Sequence, residues 1–263
     1  MDIAVNGSPA YAYTGGKRFD STLPSVVFIH GAQHDHSVWA LQSRYLAHHG
    51  FGVLAVDLPG HGRSDGPALT SVEVMADWLI ALLDAAAVPT ATLVGHSMGS
   101  LIALEAASRA PARVSRLAMV GTAIPMPVGD ELLSATRDDE PAAIDMINIW
   151  SHSNYAQKPS NPGPGFWVVG QNKRLMERMA PGVLNTDFVA CNAYANGLVA
   201  AAAITCPVLF ILGRRDAMTP IKSAAALRAA IPGATSIEIA ASGHALMAEA
   251  PDAVLEALRQ FLR

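Results

Sequence analysis

Three residues of this chain have the types and surroundings to do nucleophilic chemistry together: Ser97, Asp216 and His244. Ser97 is the centre of Gly95-His96-Ser97-Met98-Gly99, with an apolar run at 91–94 before it and an Ala/Leu-rich helical pattern directly after it. A strand, a one-residue turn and a helix in that succession lift a hydroxyl above a sheet edge. The hydroxyl then sits at a helix N-terminus, where backbone N–H groups favour developing negative charge. The flanking glycines remove side chains that would collide with the neighbouring strand and helix. A serine needs a base, and the base needs an acid to orient it. Asp216 follows an apolar strand pattern at 208–212, within Gly213-Arg214-Arg215-Asp216, and His244 follows another at 236–240, within Ser242-Gly243-His244. Serine, acid and histidine thus leave three strands at one sheet edge, in the chain order this turn type requires. After the strand pattern at 114–120, the other place for such an acid, the nearest carboxylate is Asp130, and its setting belongs to an inserted segment.

Holding those residues in place takes a sheet with helices on both faces. Short apolar runs at 26–29, 53–56, 91–94, 114–120, 208–212 and 236–240 read as buried strands, and runs at 3–5 and 11–14 as an opening hairpin. Helical spacing covers 38–49, 72–86, 101–109, 221–231 and 252–262. Strands alternating with amphipathic helices predict an α/β fold with a mostly parallel sheet. The alternation breaks between 121 and 205, where helical patterns at 130–137, 141–150, 171–179 and 186–203 are separated by proline and glycine clusters. The expected organisation is a core of residues 1–121 and 205–263 with an inserted helical cap at 122–204. The cap carries Met126, Trp150, Phe166, Trp167, Met176, Met179 and Phe188. Some of these glue its helices together, and a few should line an apolar pocket over Ser97.

The 263 residues are 51% hydrophobic and 15% charged, which suits one α/β domain with an insertion. A net charge of −4 gives no electrostatic reason to expect nucleic acid or an anionic membrane as partner. Cys191 and Cys206 lack metal-type spacing and read as free thiols in a reducing compartment. The N-terminus has no basic start followed by a long apolar region, and the Ala-rich tract at 198–204 is too short to span a bilayer, so the expectation is a cytoplasmic protein. Oligomeric state is not readable from these features. His30, His34, Asp35 and His36 share one loop and could ligate zinc, but a metal there would compete with a complete serine constellation. No metal and no cofactor are expected.

Five motifs in order make this chain resemble the α/β-hydrolase fold superfamily. They are His30-Gly31 before Trp39, Asp57-x-Pro59-Gly60-His61-Gly62-x-Ser64, the stretch around Ser97, Gly213-x-x-Asp216, and Gly243-His244. The resemblance spans nearly all of the chain outside the cap and points to a serine-esterase-like branch. It implies Ser97 as nucleophile, His244 as general base and then acid, and Asp216 as its orienting partner. It also implies an oxyanion hole made by the backbone N–H groups of Ala32 and Met98, with the Met98 side chain bordering the pocket. His30 would brace that loop, and Asp57, His61 and Arg63 would hold turns. Candidate substrate contacts are Gln33, His34, Met126, Trp150, Trp167, Met218 and Leu246, with Asp35 beside them.

The expected activity is that of a carboxylesterase. Its partner would be a small-molecule ester, uncharged and fairly hydrophobic, because the cap is apolar and no basic cluster lies near the three residues. A serine at the elbow separates the chain from branches that attack alkyl halides or epoxides with an aspartate. Carbon–carbon bond hydrolases, lactonases and perhydrolases share the same constellation. The loop Gly31-Ala32-Gln33-His34 and His96 before the serine depart from the carbon–carbon branch. A reading of another class is a slow-turnover ligand receptor or signalling protein of the same fold.

Overall fold

A computed structural model describes residues 1–156 and 167–263 of the chain. Eight strands form one sheet in the order β1-β2-β4-β3-β5-β6-β7-β8. β1 (Asp2–Val5) and β2 (Ser8–Tyr13) are an antiparallel hairpin, and β2 pairs antiparallel with β4 (Gly52–Val56). β3 (Ser25–Ile29), β4, β5 (Ala91–His96), β6 (Val114–Val120), β7 (Val208–Gly213) and β8 (Thr235–Ile239) are all parallel. The hairpin starts its second strand at Ser8, three residues before the expected start at Tyr11, because Asn6 and Gly7 alone make the turn. Both have positive φ, 51° and 84°, the two-residue geometry that suits the twist of paired strands.

Side chains of the central strands alternate between two cores, as a period of two requires. Val27, Ile29, Leu54, Leu93, Met119 and Phe210 belong to the larger core, which α2 (Val72–Ala85) and α3 (Met98–Arg109) cover. Phe28, Ala55, Val94, Ala118 and Ile211 belong to the opposite one. That face is closed by Trp39 and Leu46 of the segment ending in α1 (Ala40–Ala47), and later by Val254 and Leu258. The helix expected at 38–49 opens as a 3-10 turn at His36–Trp39, because Asp35 caps it by accepting the Ser37 N–H at 2.8 Å.

Between β6 and β7 lie α4 (Asp130–Asp138), α5 (Glu140–Ser151), α6 (Val168–Met176), α7 (Val183–Ala193) and α8 (Gly197–Ala202). Leu132, Ile144, Ile147, Met176, Leu184 and Phe188 form a third, smaller core among the first four of these helices. The single helix expected at 186–203 is therefore two helices. The chain breaks where Tyr194 Oη and Asn196 Nδ2 donate to Glu105 Oε2 of α3, at 2.7 and 2.9 Å, and α8 then packs on α3. Glu105 is 1% exposed, and these donors satisfy one of its oxygens while Arg109 Nε donates to the other at 2.7 Å. Phe166 lies outside the described residues. After β7 come α9 (Ala225–Ala230), the short α10 (Leu246–Glu249), which the sequence pattern did not show, and α11 (Pro251–Phe261).

The junction of β5 and α3 is the tightest point in the sheet. A Cβ on Gly95 would stand 2.1 Å from the Gly99 carbonyl oxygen, and one on Gly99 would stand 2.4 Å from that of Ile29. Contacts that close involve backbone on both sides, so no rotamer change relieves them. Gly95→Ala is expected to lower unfolding free energy by about 3 kcal/mol or more. Gly129→Ala, where an added Cβ meets nothing within 4 Å, is expected to cost about 1 kcal/mol or less. Urea denaturation of the two variants against wild type measures both.

Candidate active site

Ser97 sits alone between β5 and α3 at φ 52° and ψ −119°, a conformation that non-glycine residues adopt rarely. The structure holds it there from both sides. Its N–H donates to the Val120 carbonyl at the end of β6 at 2.9 Å, and its own carbonyl accepts the Ser100 N–H at 2.8 Å. The residue thus stands at the N-terminus of α3, at the end of the strands where β6 and β7 also terminate.

His244 leaves the sheet in the loop after β8. Its Nδ1 lies 2.8 Å from Oδ2 of Asp216, which follows β7. Thr219 Oγ1 donates to the same oxygen at 2.7 Å, and the N–H groups of Met218 and Thr219 donate to Oδ1 at 2.9 and 2.7 Å. Burial opposes ionisation of Asp216, but the imidazole of His244 and these donors outweigh it and bring the carboxyl down to about 2. Asp130 opens α4 and has no part in this arrangement.

The His244 loop is also gripped from the inserted helices. The Ser151 carbonyl at the end of α5 accepts the N–H groups of His244 and Ala245 at 2.7 and 3.0 Å. The Glu249 carboxylate accepts the N–H groups of Gly243 and Ser153, both at 2.9 Å. Burial raises the pKa of Glu249 from its ordinary value. His96, the residue before the serine, donates from Nε2 to the His244 carbonyl at 2.9 Å, with ring centroids 4.7 Å apart. Burial first, and then the neighbouring histidines, push the pKa of His96 well below its ordinary value, so this brace stays neutral.

Ser97 and His244 open into one cavity of about 680 Å³. Ala32, His34 and Met218 are among the residues that line it. His34 donates from Nδ1 to the Ala32 carbonyl at 2.6 Å, and its Nε2 meets the side-chain amide of Asn172 at 2.8 Å. His30 braces the same loop, with Nδ1 donating to the Gly31 carbonyl at 2.8 Å and Nε2 accepting the Leu58 N–H at 3.1 Å. Asp57 holds its turn by accepting the N–H groups of His36 and Arg63 at 2.7 and 2.9 Å.

Several expected contacts lie elsewhere. Gln33 is fully buried, and its side chain donates to the Met176 carbonyl at 3.1 Å instead of facing the cavity. Asp35 caps the turn at His36–Trp39 and pairs with Arg178 at 3.2 Å. The side chains of Met98 and Met126 pack in the larger core, and Leu246 packs in the opposite core. Trp150 and Trp167 are 39% and 70% exposed. On α5 the cavity is met by Ile147 and Ser151, four residues apart, and helical phase turns Trp150 outward. Trp167 precedes α6 as an extended cap residue, and its ring lies over Gly170, although Gln171 and Arg174 on its side of the helix line the cavity. The apolar wall is Ile147, Val168, Leu175 and Phe188. That spacing was present in the sequence, but residue size drew attention to the tryptophans.

Sequence reasoning also missed Arg174 and Arg178, which line the cavity at its exposed mouth. Each has an acidic partner: Glu177 lies 2.6 Å from Arg174, and Asp35 is the partner of Arg178. Asp35, His36 and Asp57 bring possible ligand atoms within 4.8 Å of one another. Their oxygens already accept from Ser37, His36 and Arg63, so hydrogen bonding within the loops accounts for the cluster. Among the described residues, no helix is long and apolar enough to cross a membrane.

A parallel sheet with a strained serine at its strand ends and a histidine–aspartate pair beside it defines the class. The chain belongs to the alpha/beta hydrolase family, whose model matches residues 26–257. Its relatives show how varied that family is. An epoxide hydrolase of Caballeronia sordidicola is 29% identical over all of this chain and 93% of its own. A pimeloyl-[acyl-carrier protein] methyl ester esterase of Chromobacterium violaceum is 33% identical over 84% of this chain and 87% of its own. The solved enol-lactonase from Burkholderia xenovorans LB400 superposes with a TM-score of 0.87 at 25% identity, covering 100% of this chain and 99% of that one.

Asp216 gives the site an acid limb. Its carboxyl is held below the ordinary 3.8, so the stabilisation is full above about pH 4 and is lost as pH falls towards 2. Wild type is expected to lose about 2 kcal/mol more than Asp216→Asn across that interval, measured by urea denaturation at successive pH values.

Proposed function

We propose that this protein is a serine carboxylic ester hydrolase that acts through an acyl-enzyme on an uncharged, fairly hydrophobic ester. The observation that carries the reading is the placement of Ser97, on its strained turn, in the same cavity as a histidine whose Nδ1 is bound to a buried carboxylate. In this reading Ser97 attacks the ester carbonyl while Nε2 of His244 takes its proton. Asp216 holds the Nδ1–H tautomer and stabilises the imidazolium. The tetrahedral oxyanion is met by the N–H groups of Ala32 and Met98, fixed in the scaffold before charge develops. His244 then gives its proton to the departing alcohol, and water repeats the sequence on the acyl-serine.

Residues 122–204 act as the cap, and Ile147, Val168, Leu175 and Phe188 supply an apolar wall for the substrate. Arg174 and Arg178 already have carboxylate partners, so the cavity does not require an anionic substrate. A lactone is an ester with its two halves joined, and the same chemistry opens it. Epoxide opening is different. Attack by Ser97 on an epoxide carbon would leave an ether, which has no carbonyl for water to attack, whereas a carboxylate nucleophile would leave a hydrolysable ester. The activity of the epoxide hydrolase relative is therefore not carried to this chain.

A panel of p-nitrophenyl esters of graded chain length tests the reading. Wild type is expected to turn over repeatedly, and a single burst without turnover would favour the receptor reading instead. A fluorophosphonate should label wild type and not Ser97→Ala. Asp216→Asn should lower kcat by about 10³–10⁴-fold. Labelling of Ser97→Ala equal to that of wild type would remove Ser97 as nucleophile.

A further inference from the structure

Gln33 follows Ala32 with φ 55°, a left-handed conformation in a residue with a long side chain, and it is fully buried. Its N–H donates at 2.8 Å to Oδ2 of Asp187, a residue of α7 with no solvent exposure. The carbonyl of the same peptide unit, that of Ala32, accepts from His34 Nδ1 at 2.6 Å. A peptide unit is planar, so gripping both its ends fixes ψ of Ala32 and φ of Gln33 together. Only φ of Ala32 then separates the gripped unit from the Ala32 N–H, so the directions open to that N–H are limited.

The oxygen that holds Gln33 is itself held. His61 Nε2 lies 2.9 Å from Asp187 Oδ2, and His61 Nδ1 lies 3.0 Å from the Pro59 carbonyl. A carbonyl and a carboxylate both accept, so the two contacts together require both ring nitrogens to carry hydrogen. His61 is 1% exposed, and an imidazolium there balances a carboxylate that would be very costly to bury alone. We propose that Asp187 is a positioning residue that reaches in from the inserted helices to set the backbone bearing the Ala32 N–H, and that it does so as an ion pair with protonated His61.

The surrounding charges agree. Burial opposes the His61 cation, but Asp187 outweighs it, Asp57 adds to the effect, and the pKa is raised from its ordinary value. His30, with its ring centroid 4.9 Å away, would repel the cation, yet burial pushes its own pKa well down and it stays neutral. The Cys191 thiol, near Asp187 on α7, is pushed up and stays protonated. Asp35, on the far side of Gly62, is directed to Ser37 and Arg178. Asp187 Oδ1 has no hydrogen-bond partner among the described residues, so one oxygen makes both contacts.

This proposal rests on the reading of Ala32 as an oxyanion donor. Loss of a whole donor costs about 10²–10³-fold in kcat, and a displaced donor costs less. Asp187→Ala should therefore lower kcat by about 10–100-fold while KM changes by less than about 3-fold. Asp187→Asn, which keeps an acceptor for the Gln33 N–H without the charge, should recover part of that loss. A merely structural loosening of the helices would raise KM and leave kcat alone, and that result would overturn the proposal.

Two readouts do not depend on turnover. In ¹H–¹⁵N spectra of wild type near neutral pH, His61 should show the signature of an imidazolium, and it should become neutral in Asp187→Asn. The stabilisation linked to His61 is full below its unfolded value and is lost as pH rises through its raised folded value, so Asp187→Asn should show a flatter alkaline decline in stability. A neutral His61 in wild type overturns the ion pair even if Asp187→Ala does not fold. If wild type hydrolyses no ester and Ser97 takes no label, the functional reading fails instead, and the His61 spectra still decide the ion pair.

Discussion

The strand β5 passes into α3 through one residue, and the space for that passage comes from its neighbours. Gly95 faces the Gly99 carbonyl so closely that a Cβ would have to stand 2.1 Å from it, and Gly99 lies against the carbonyls of Ile29 and His30. The turn is therefore wedged against the end of β3 as well as against its own helix. On the opposite side the Ser97 N–H is bound to Val120 at the end of β6. The loops after β3 and β6 have to begin beside the serine, because both strands are in contact with the turn. Ala32 reaches the cavity for the same reason. Gly121, at φ 55°, brings the chain after β6 to where an added Cβ would lie 3.2 Å from His244 Nδ1.

The loops at this edge are tied to the inserted helices by main-chain carbonyls as well as by side chains. Ser151 at the end of α5 accepts from His244 and Ala245, and the Met176 carbonyl at the end of α6 accepts from Gln33. Both carbonyls lie in the last turn of a helix, where they have no partner within it. The helices thus end on the loops that carry Ala32 and His244, and carbonyls of their last turns become anchors. The cavity wall and these loops are one connected structure. A change in the packing of α5 or α6 would reach His244 or Ala32 through a single hydrogen bond.

Much of this was legible in the sequence because its signals are local. The strand positions follow from buried apolar runs, and Ser97, Asp216 and His244 each sit directly after such a run. The turn at Ser97 announces itself through two glycines. Other features depend on partners far away in the chain. The break between α7 and α8 is set by Glu105, about ninety residues earlier, which draws Tyr194 and Asn196 onto α3. Gln33 reads as a substrate contact until Asp187 and Met176, both distant in sequence, are seen to bind it. Trp150 and Trp167 were misplaced for a different reason. Their size suggested a pocket, but helical phase turns Trp150 away from it, and Trp167 stands before α6 with its ring over Gly170.

Histidines crowd this edge, and their hydrogen-bond partners and burial set them apart. His30 and His96 each have one ring nitrogen donating to a main-chain carbonyl, and burial keeps both rings neutral. They brace the loops at Gly31 and His244 without adding positive charge. His61 differs because a carboxylate meets its second nitrogen. His244 also faces a carboxylate, but it borders the cavity, where its other nitrogen is open to a reacting group. In the proposed reaction that ring gains and loses a proton in each half-cycle. Fixed cations at His30 or His96 would oppose that gain, and His96 is close enough, at 4.7 Å between rings, for the repulsion to be large. In that proposed reaction, keeping those two rings neutral by burial is part of what would let His244 act as a base. The acid groups divide in the same way: Asp216 faces His244, where the proposed reaction forms its charge, and Asp187 faces His61 at the root of the neighbouring loop.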